Sequence, residues 1–171
     1  MQPPEPTERL RYRALEAADA EALHAVWGDP EVMRYLPSGP SESVAQTRER
    51  VELHAARFAE AGHGLCAVVE TDSARVVGVC GLFPVEWTGP DVEVAYHFAR
   101  SAWNRGYATE AAGAWVTEAF DQLGLDRVVA FAFPANRAST RVMEKIGMTF
   151  QREVEKYGES LVEYAIERPA G

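Results

Sequence analysis

Between Val92 and Phe120 the apolar residues change period once, and the change hinges on a single glycine. Val92-Glu93-Val94-Ala95-Tyr96 alternates in the manner of a strand, with Glu93 on the opposite face from Val92, Val94 and Tyr96. Beyond Asn104-Arg105-Gly106-Tyr107-Ala108-Thr109, residues Ala108, Ala111, Ala112, Trp115, Val116, Ala119 and Phe120 recur at helical spacing. The small residues of the first turns let this helix lie close to a sheet, which constrains the fold around the junction. The junction also has a chemical consequence. The first N–H groups of a helix lack intrahelical partners and sit at the positive end of its dipole, so an anion can be held by main chain alone. Gly106 lets such a ligand approach the backbone closely.

The type of anion is narrowed by what surrounds the glycine. A nucleoside triphosphate loop closes on Gly-Lys-Ser/Thr, and a dinucleotide-binding turn needs two further glycines; this turn has neither pattern. A second strand–helix unit follows. Arg127–Phe133 reads as a buried strand ended by Pro134, and Asn136 caps a helix that carries Val142, Met143 and Ile146 and stops at Gly147. Upstream, Asp19 is expected to cap a helix bearing Ala22, Leu23, Val26 and Trp27 that ends at Gly28. Ser43 and Gln46 have capping-box spacing for a longer helix that runs to Gly62, with Val44, Val51, His54, Ala55 and Phe58 on its apolar side. Leu65–Glu70 and Val76–Leu82 flank the polar turn Thr71–Arg75, and Met148–Val154 and Leu161–Glu167 flank Tyr157-Gly158, so both read as hairpins.

Several ordered segments together resemble the GNAT N-acetyltransferase superfamily, and within it the branch of the ribosomal-protein acetyltransferases RimJ and RimL. They are Thr7–Arg13, Asp29–Leu36, Gly78–Leu82, Val92–Tyr96 followed by Trp103–Ala111, and Asn136–Ser139 through Glu144–Met148. The resemblance implies an α/β (α+β) fold, with a mixed sheet of about seven strands whose two central parallel strands splay apart, flanked by helices. It implies acetyl-CoA as donor, its pyrophosphate on the main chain of Asn104, Arg105, Gly106, Tyr107, Ala108 and Thr109. The pantetheine arm would lie beside Phe98, Ala99 and Arg100, and Asn136 would touch the cofactor from the neighbouring strand end. Met33, Tyr35, Trp87 and Tyr96 become candidates for the wall of the amine-acceptor pocket.

The residues leave the proton chemistry partly open. Many relatives place on the last helix a tyrosine that protonates the departing thiolate; Met143 stands there, and a thioether cannot donate a proton. Ser139, Tyr96 or water would have to substitute, or the thiolate, with a pKa of about 8.5, leaves largely unassisted. An amine with a pKa near ~10 must lose a proton before it attacks. Glu93 is the first candidate for the base and His97, on the same face of the strand, the second; a solvated strand glutamate is the structural alternative. The expected reaction is transfer of acetyl to a primary amine, a peptide N-terminus or a small molecule, by direct attack in a ternary complex. The alternative, which Met143 suggests, is a noncatalytic acyl-CoA-binding module.

With 171 residues, 47% of them hydrophobic, the chain is expected to form one domain over 1–171, with residues 1–6 a flexible start. A net charge of −9 argues against nucleic acid as a partner. No segment has the length and apolarity of a membrane span or the pattern of a signal peptide, so a cytoplasmic protein with no membrane partner is expected. Cys66 and Cys80 lie in separate apolar segments without CxxC spacing, and His24, His54, His63 and His97 show no ligand spacing, so no metal is expected. Relatives that pair through the sheet edge or early helices make a homodimer an open expectation.

Overall fold

The computed structural model describes residues 2–169; Met1, part of the expected flexible start, lies outside them. Eleven main elements follow one another: β1 (Leu10–Arg13), α1 (Ala20–Trp27), α2 (Val44–Ala61), β2 (Gly64–Glu70), β3 (Val76–Pro84), β4 (Val92–Phe98), α3 (Tyr107–Asp121), β5 (Arg127–Ala132), α4 (Arg137–Lys145), β6 (Thr149–Lys156) and β7 (Glu159–Glu167). The strands form one mixed sheet in the order β1-β2-β3-β4-β5-β7-β6, and β4 with β5 is its parallel pair. This is the GNAT architecture that the resemblance implies.

Strand alternation divides the sheet between two helical layers. Cys66, Val68, Cys80, Leu82 and Val94 face α3, where Ala111, Ala112, Trp115, Val116 and Ala119 form the buried stripe read from the sequence. Leu65, Ala67, Val79 and Phe83 face the other way, onto Leu23, Val26 and Trp27 of α1 and Val51 of α2. Cys66 and Cys80 are cross-strand partners, free and buried.

The helix limits follow the capping signals, with one correction. Ser43 caps α2 by accepting from the Gln46 N–H at 3.2 Å, and Gly62 ends it in the left-handed region at φ 68°. Asp19 does not cap α1: its carboxylate accepts both Nη groups of Arg13 at 2.7 Å and the Glu16 N–H at 2.9 Å, closing a 3-10 turn over Ala17–Asp19 instead. A bidentate guanidinium is a better partner for a buried carboxylate than a helix N–H.

The parallel pair matters most for function. β4 is paired with β3 along its whole length and β5 with β7 along its whole length, whereas β4 and β5 share register only at Glu93 and Val129. Toward their C-terminal ends they diverge, and α3 and α4 start beyond those ends.

Gly81 is held where any side chain would collide: a methyl built on it overlaps the Gly64 carbonyl across β2 and β3. Gly81→Ala is therefore expected to cost about 1–3 kcal/mol through overpacking. It should lower the urea midpoint without changing the denaturant slope; an unchanged midpoint would contradict the close approach of β2 to β3 at Gly81.

Candidate functional site

Two helix starts meet at the mouth of the gap between β4 and β5. At α3, Gly106 occupies the N-cap with φ 79°, and no side chain caps the helix, so its leading amides face outward unmasked. The loop around them is tied down from behind. The Arg9 Nη1–H donates to the Arg105 carbonyl at 2.7 Å, and the Arg9 guanidinium pairs with Glu110 at 2.7 Å. Glu110 also accepts from the Thr7 hydroxyl and the Arg9 N–H, so it fixes the segment before β1. The Tyr107 ring lies between the guanidiniums of Arg9 and Arg105, at 4.9 and 4.6 Å, and its hydroxyl donates to Glu70 at 2.5 Å. Arg105 also pairs with Glu70 at 2.8 Å. At α4, Asn136 Oδ1 accepts the Ser139 N–H at 3.2 Å.

These features fit a diphosphate: uncapped amides, a glycine with no Cβ, and a loop braced by residues outside it. Asn104 through Thr109 and Asn136 are thus brought to the mouth of one gap. Phe98, Ala99 and Arg100 are engaged elsewhere. The Phe98 side chain is buried in the core and its carbonyl accepts Trp103 Nε1–H, the Ala99 N–H donates to Val77, and Arg100 pairs with Asp29 at 2.6 Å.

At the vertex of the gap stands Glu93. Four acids are buried in the described structure, and three have arginine partners: Asp19 with Arg13, Glu70 with Arg105, and Glu163 with Arg127 and Arg152. Glu93 has none. Its one side-chain partner is Tyr157, which donates its O–H to the carboxylate while accepting the Glu86 N–H at 3.1 Å. Burial pushes the Glu93 carboxyl up to about 7, against the opposing pull of the tyrosine hydrogen bond. A carboxyl raised above its unfolded value contributes its stability below about 4.5 and loses it as the pH passes through 7, so Glu93 weakens the fold at neutral pH. A buried, unpaired acid retained at such a cost is a functional candidate.

Tyr157 joins the candidate site although the sequence shows it only as part of the Tyr157-Gly158 turn. It sits in the two-residue turn between β6 and β7, and reaches an acid 64 residues away with no local pattern to announce it. Lys156 pairs with Glu86 at 3.0 Å beside it. Of the five non-glycine residues with positive φ among the described residues, Glu86, Trp87 and Tyr157 gather here. Strain concentrated at one place is a mark of functional geometry.

The remaining candidates are split between the two faces of the sheet. Tyr96 points to the α3–α4 side, where its hydroxyl lies 3.1 Å from both Ser139 Oγ and the Ser139 carbonyl. Met143 is fully buried behind them. Tyr96 is therefore away from Met33, Tyr35 and Trp87, and the four do not form one acceptor wall. Met33 is core, 2% exposed, so it offers little surface to a ligand. Tyr35 lies 6.0 Å from Phe133 at the end of β5, and Trp87 stacks on Phe83 at 4.6 Å. His97 shares the Glu93 face, but the Trp27 indole N–H donates to its Nδ1 at 3.1 Å. Burial and neighbouring positive groups push its pKa down to about 3, which makes it a poor proton acceptor at neutral pH. Neither cysteine is a nucleophile: burial pushes Cys66 up to about 12 and holds Cys80 well above the ordinary thiol value.

Comparison with known proteins agrees with this geometry. Residues 9–149 match the model of the acetyltransferase (GNAT) domain. The chain is 35% identical over 162 residues to the uncharacterized protein YkkB of Bacillus subtilis (strain 168), covering 92% of each. It is 29% identical over 147 residues to the uncharacterized N-acetyltransferase p20 of Bacillus licheniformis, covering 86% of this chain and 82% of that one. Among solved structures, a GNAT-family acetyltransferase from Bacillus anthracis superposes with a TM-score of 0.82 at 30% identity, covering 95% of this chain and 96% of that one.

Gly106 supplies a direct test of the phosphate cradle. Its φ is one that side chains rarely adopt, and a Cβ there meets Arg9 Nη2 at 3.3 Å. Gly106→Val should weaken coenzyme A binding at least tenfold, about 1.4 kcal/mol, by titration calorimetry. Far-UV circular dichroism should remain that of the parent. Unchanged affinity would contradict the cradle.

Proposed function

The chain belongs to the GNAT acetyltransferase family, and from that premise we propose that it acetylates a primary amine, on a peptide N-terminus or a small molecule, in a ternary complex with acetyl-CoA. When bound, acetyl-CoA supplies an acyl group already activated on a thiol. The chain must then hold the diphosphate, orient the amine, and move two protons.

The observation that carries this reading is the position of Glu93, an unpaired buried carboxyl at the last shared register point of β4 and β5. With its pKa near 7 it is substantially ionised at neutral pH, and basic enough to accept a proton from an ammonium entering the vertex. Tyr157, already donating to it, keeps the carboxylate oriented. On the opposite face, Ser139 Oγ and the Tyr96 hydroxyl form a pair from which a departing thiolate can take a proton. Base and acid thus occupy opposite sides of one gap, so neither neutralises the other. Asn104 to Thr109 and Asn136 hold the cofactor, and the segment Trp103–Ala111 belongs to the resemblance to the RimJ/RimL branch. Two free, buried cysteines suit a reducing cytoplasm; among the described residues no helix is long and apolar enough to cross a membrane.

Thiol release from acetyl-CoA with a panel of amines separates this enzyme from a noncatalytic acyl-CoA module, because only the enzyme turns over. Turnover should rise with pH through about 7, since Glu93 must be ionised to accept a proton. Glu93→Gln should remove that limb and lower kcat about 10²-fold or more. Tyr157→Phe, which deletes a hydrogen bond favouring the carboxylate, should move the limb to higher pH. A parental pH profile in Glu93→Gln would eliminate Glu93 as the base.

A further inference from the structure

One face of α2 carries Arg50, His54 and Arg57, spaced so that all three lie along a single stripe. This stripe looks onto the same side of the sheet as Glu93. Arg50 lies over the Trp27 ring at 5.5 Å, His54 stacks between Trp27 and Trp87 at 5.7 and 5.8 Å, and Arg57 covers Trp87 at 3.8 Å. Cations and rings therefore alternate along one wall.

The wall lacks a counter-charge. Among the described residues neither Arg50 nor Arg57 forms an ion pair, although most other buried or half-buried charges in the molecule are paired. Arg50 donates to the Gly39 carbonyl at 3.3 Å and to no acid; removal from water alone pulls its pKa down. His54 Nδ1 is buried with no hydrogen-bond partner; His63, Thr71 and Trp115 also carry such atoms, but of the four only His54 stands on this stripe between two unpaired arginines. Glu93 is the mirror image, an acid with no cation. The two unpaired sets do not reach each other, which leaves one side of the sheet with a negative end and a positive end.

We infer that the Arg50–His54–Arg57 face binds a carboxylate of the acceptor, so that the amine to be acetylated belongs to a molecule that also carries an acidic group at some distance from it. The inference rests on the reading of Glu93 as the site of the amine. The separation is gauged over the packed rings between Glu93 and that face. Phe83 lies directly across from Glu93 in the sheet, Trp87 stacks on Phe83 at 4.6 Å, and Arg57 sits 3.8 Å from Trp87. The path is on the order of 10 Å, about the reach of three extended residues. A free α-amino acid, whose two groups share one carbon, is too short to span it. A peptide N-terminus with Asp or Glu at its third position fits, and a polyamine is rejected by like charge.

The test compares Ala-Ala-Glu-Ala amide with Ala-Ala-Gln-Ala amide and Ala-Ala-Lys-Ala amide. Two quantities are measured: kcat/KM by thiol release, and calorimetric binding of the Nα-acetylated forms in the presence of coenzyme A. The acidic peptide should exceed the lysine peptide about tenfold or more in both, the effect of one desolvated charge contact. In Arg57→Gln and in Arg50→Gln the ratio should fall toward one. A ratio within one protein sample is independent of how much of it is folded. Equal kcat/KM and equal binding across the three peptides would overturn the inference, as would a ratio untouched by both substitutions. Preferential binding of the acetylated acidic peptide without turnover of any peptide would uphold the anion wall and refute the transferase reading.

Discussion

The site depends on one break in the sheet, where the parallel strands β4 and β5 pair at a single point and then part. β4 pairs along its length with β3 and β5 with β7 through their outer edges, while their facing edges share register at Glu93 and Val129 alone. Sheet twist turns this into a wedge open at the C-terminal ends. The same chain geometry sends each strand into a helix, which puts the leading amides of α3 and the capped start of α4 at the mouth. The sheet also separates the two groups proposed to move protons, Glu93 on one face and the Ser139–Tyr96 pair on the other.

Electrostatics divides the molecule into finished and unfinished parts. Asp19, Glu70 and Glu163 are buried with arginines at hydrogen-bonding distance, and their role is structural: Glu70 holds the loop before α3, and Glu163 ties β5, β6 and β7 together through Arg127 and Arg152. On the Glu93 side of the sheet this completeness stops. Glu93 lacks a cation, Arg50 and Arg57 lack an anion, and His54 keeps an unsatisfied nitrogen. Positive φ angles at Glu86, Trp87 and Tyr157 fall in the same place. A fold that pairs its other buried acids among the described residues and leaves these groups open is shaped for a ligand.

Much of this is legible in the amino-acid sequence. Period and capping locate the strand–helix junctions, because Gly106, Asn136, Ser43 and Gly62 have local reasons to be where they are. The residues that fail to announce themselves act over long distances in sequence or through folded neighbours. Asp19 has the type and place of a helix cap, and Arg13, its actual partner, can be recognised only once β1 and the following turn are folded. Tyr157 reads as an ordinary turn residue, since the acid it serves is on another strand. His54 fits the apolar side of α2 by spacing, and only packing between Trp27 and Trp87 reveals that its stripe also carries two unpaired arginines. Alternation places Glu93 and His97 on one face, but it cannot say that Trp27 occupies the histidine.

The central claim is that the bare amides at the start of α3 grip the diphosphate of the acyl carrier. Backbone hydrogen exchange resolved over residues 103–110 measures this directly. Saturating acetyl-CoA should slow exchange at Tyr107, Ala108 and Thr109, the amides that have no capping partner in the free protein. Exchange there that stays at the free rate, while acetyl-CoA demonstrably binds and protects amides elsewhere, would contradict that claim.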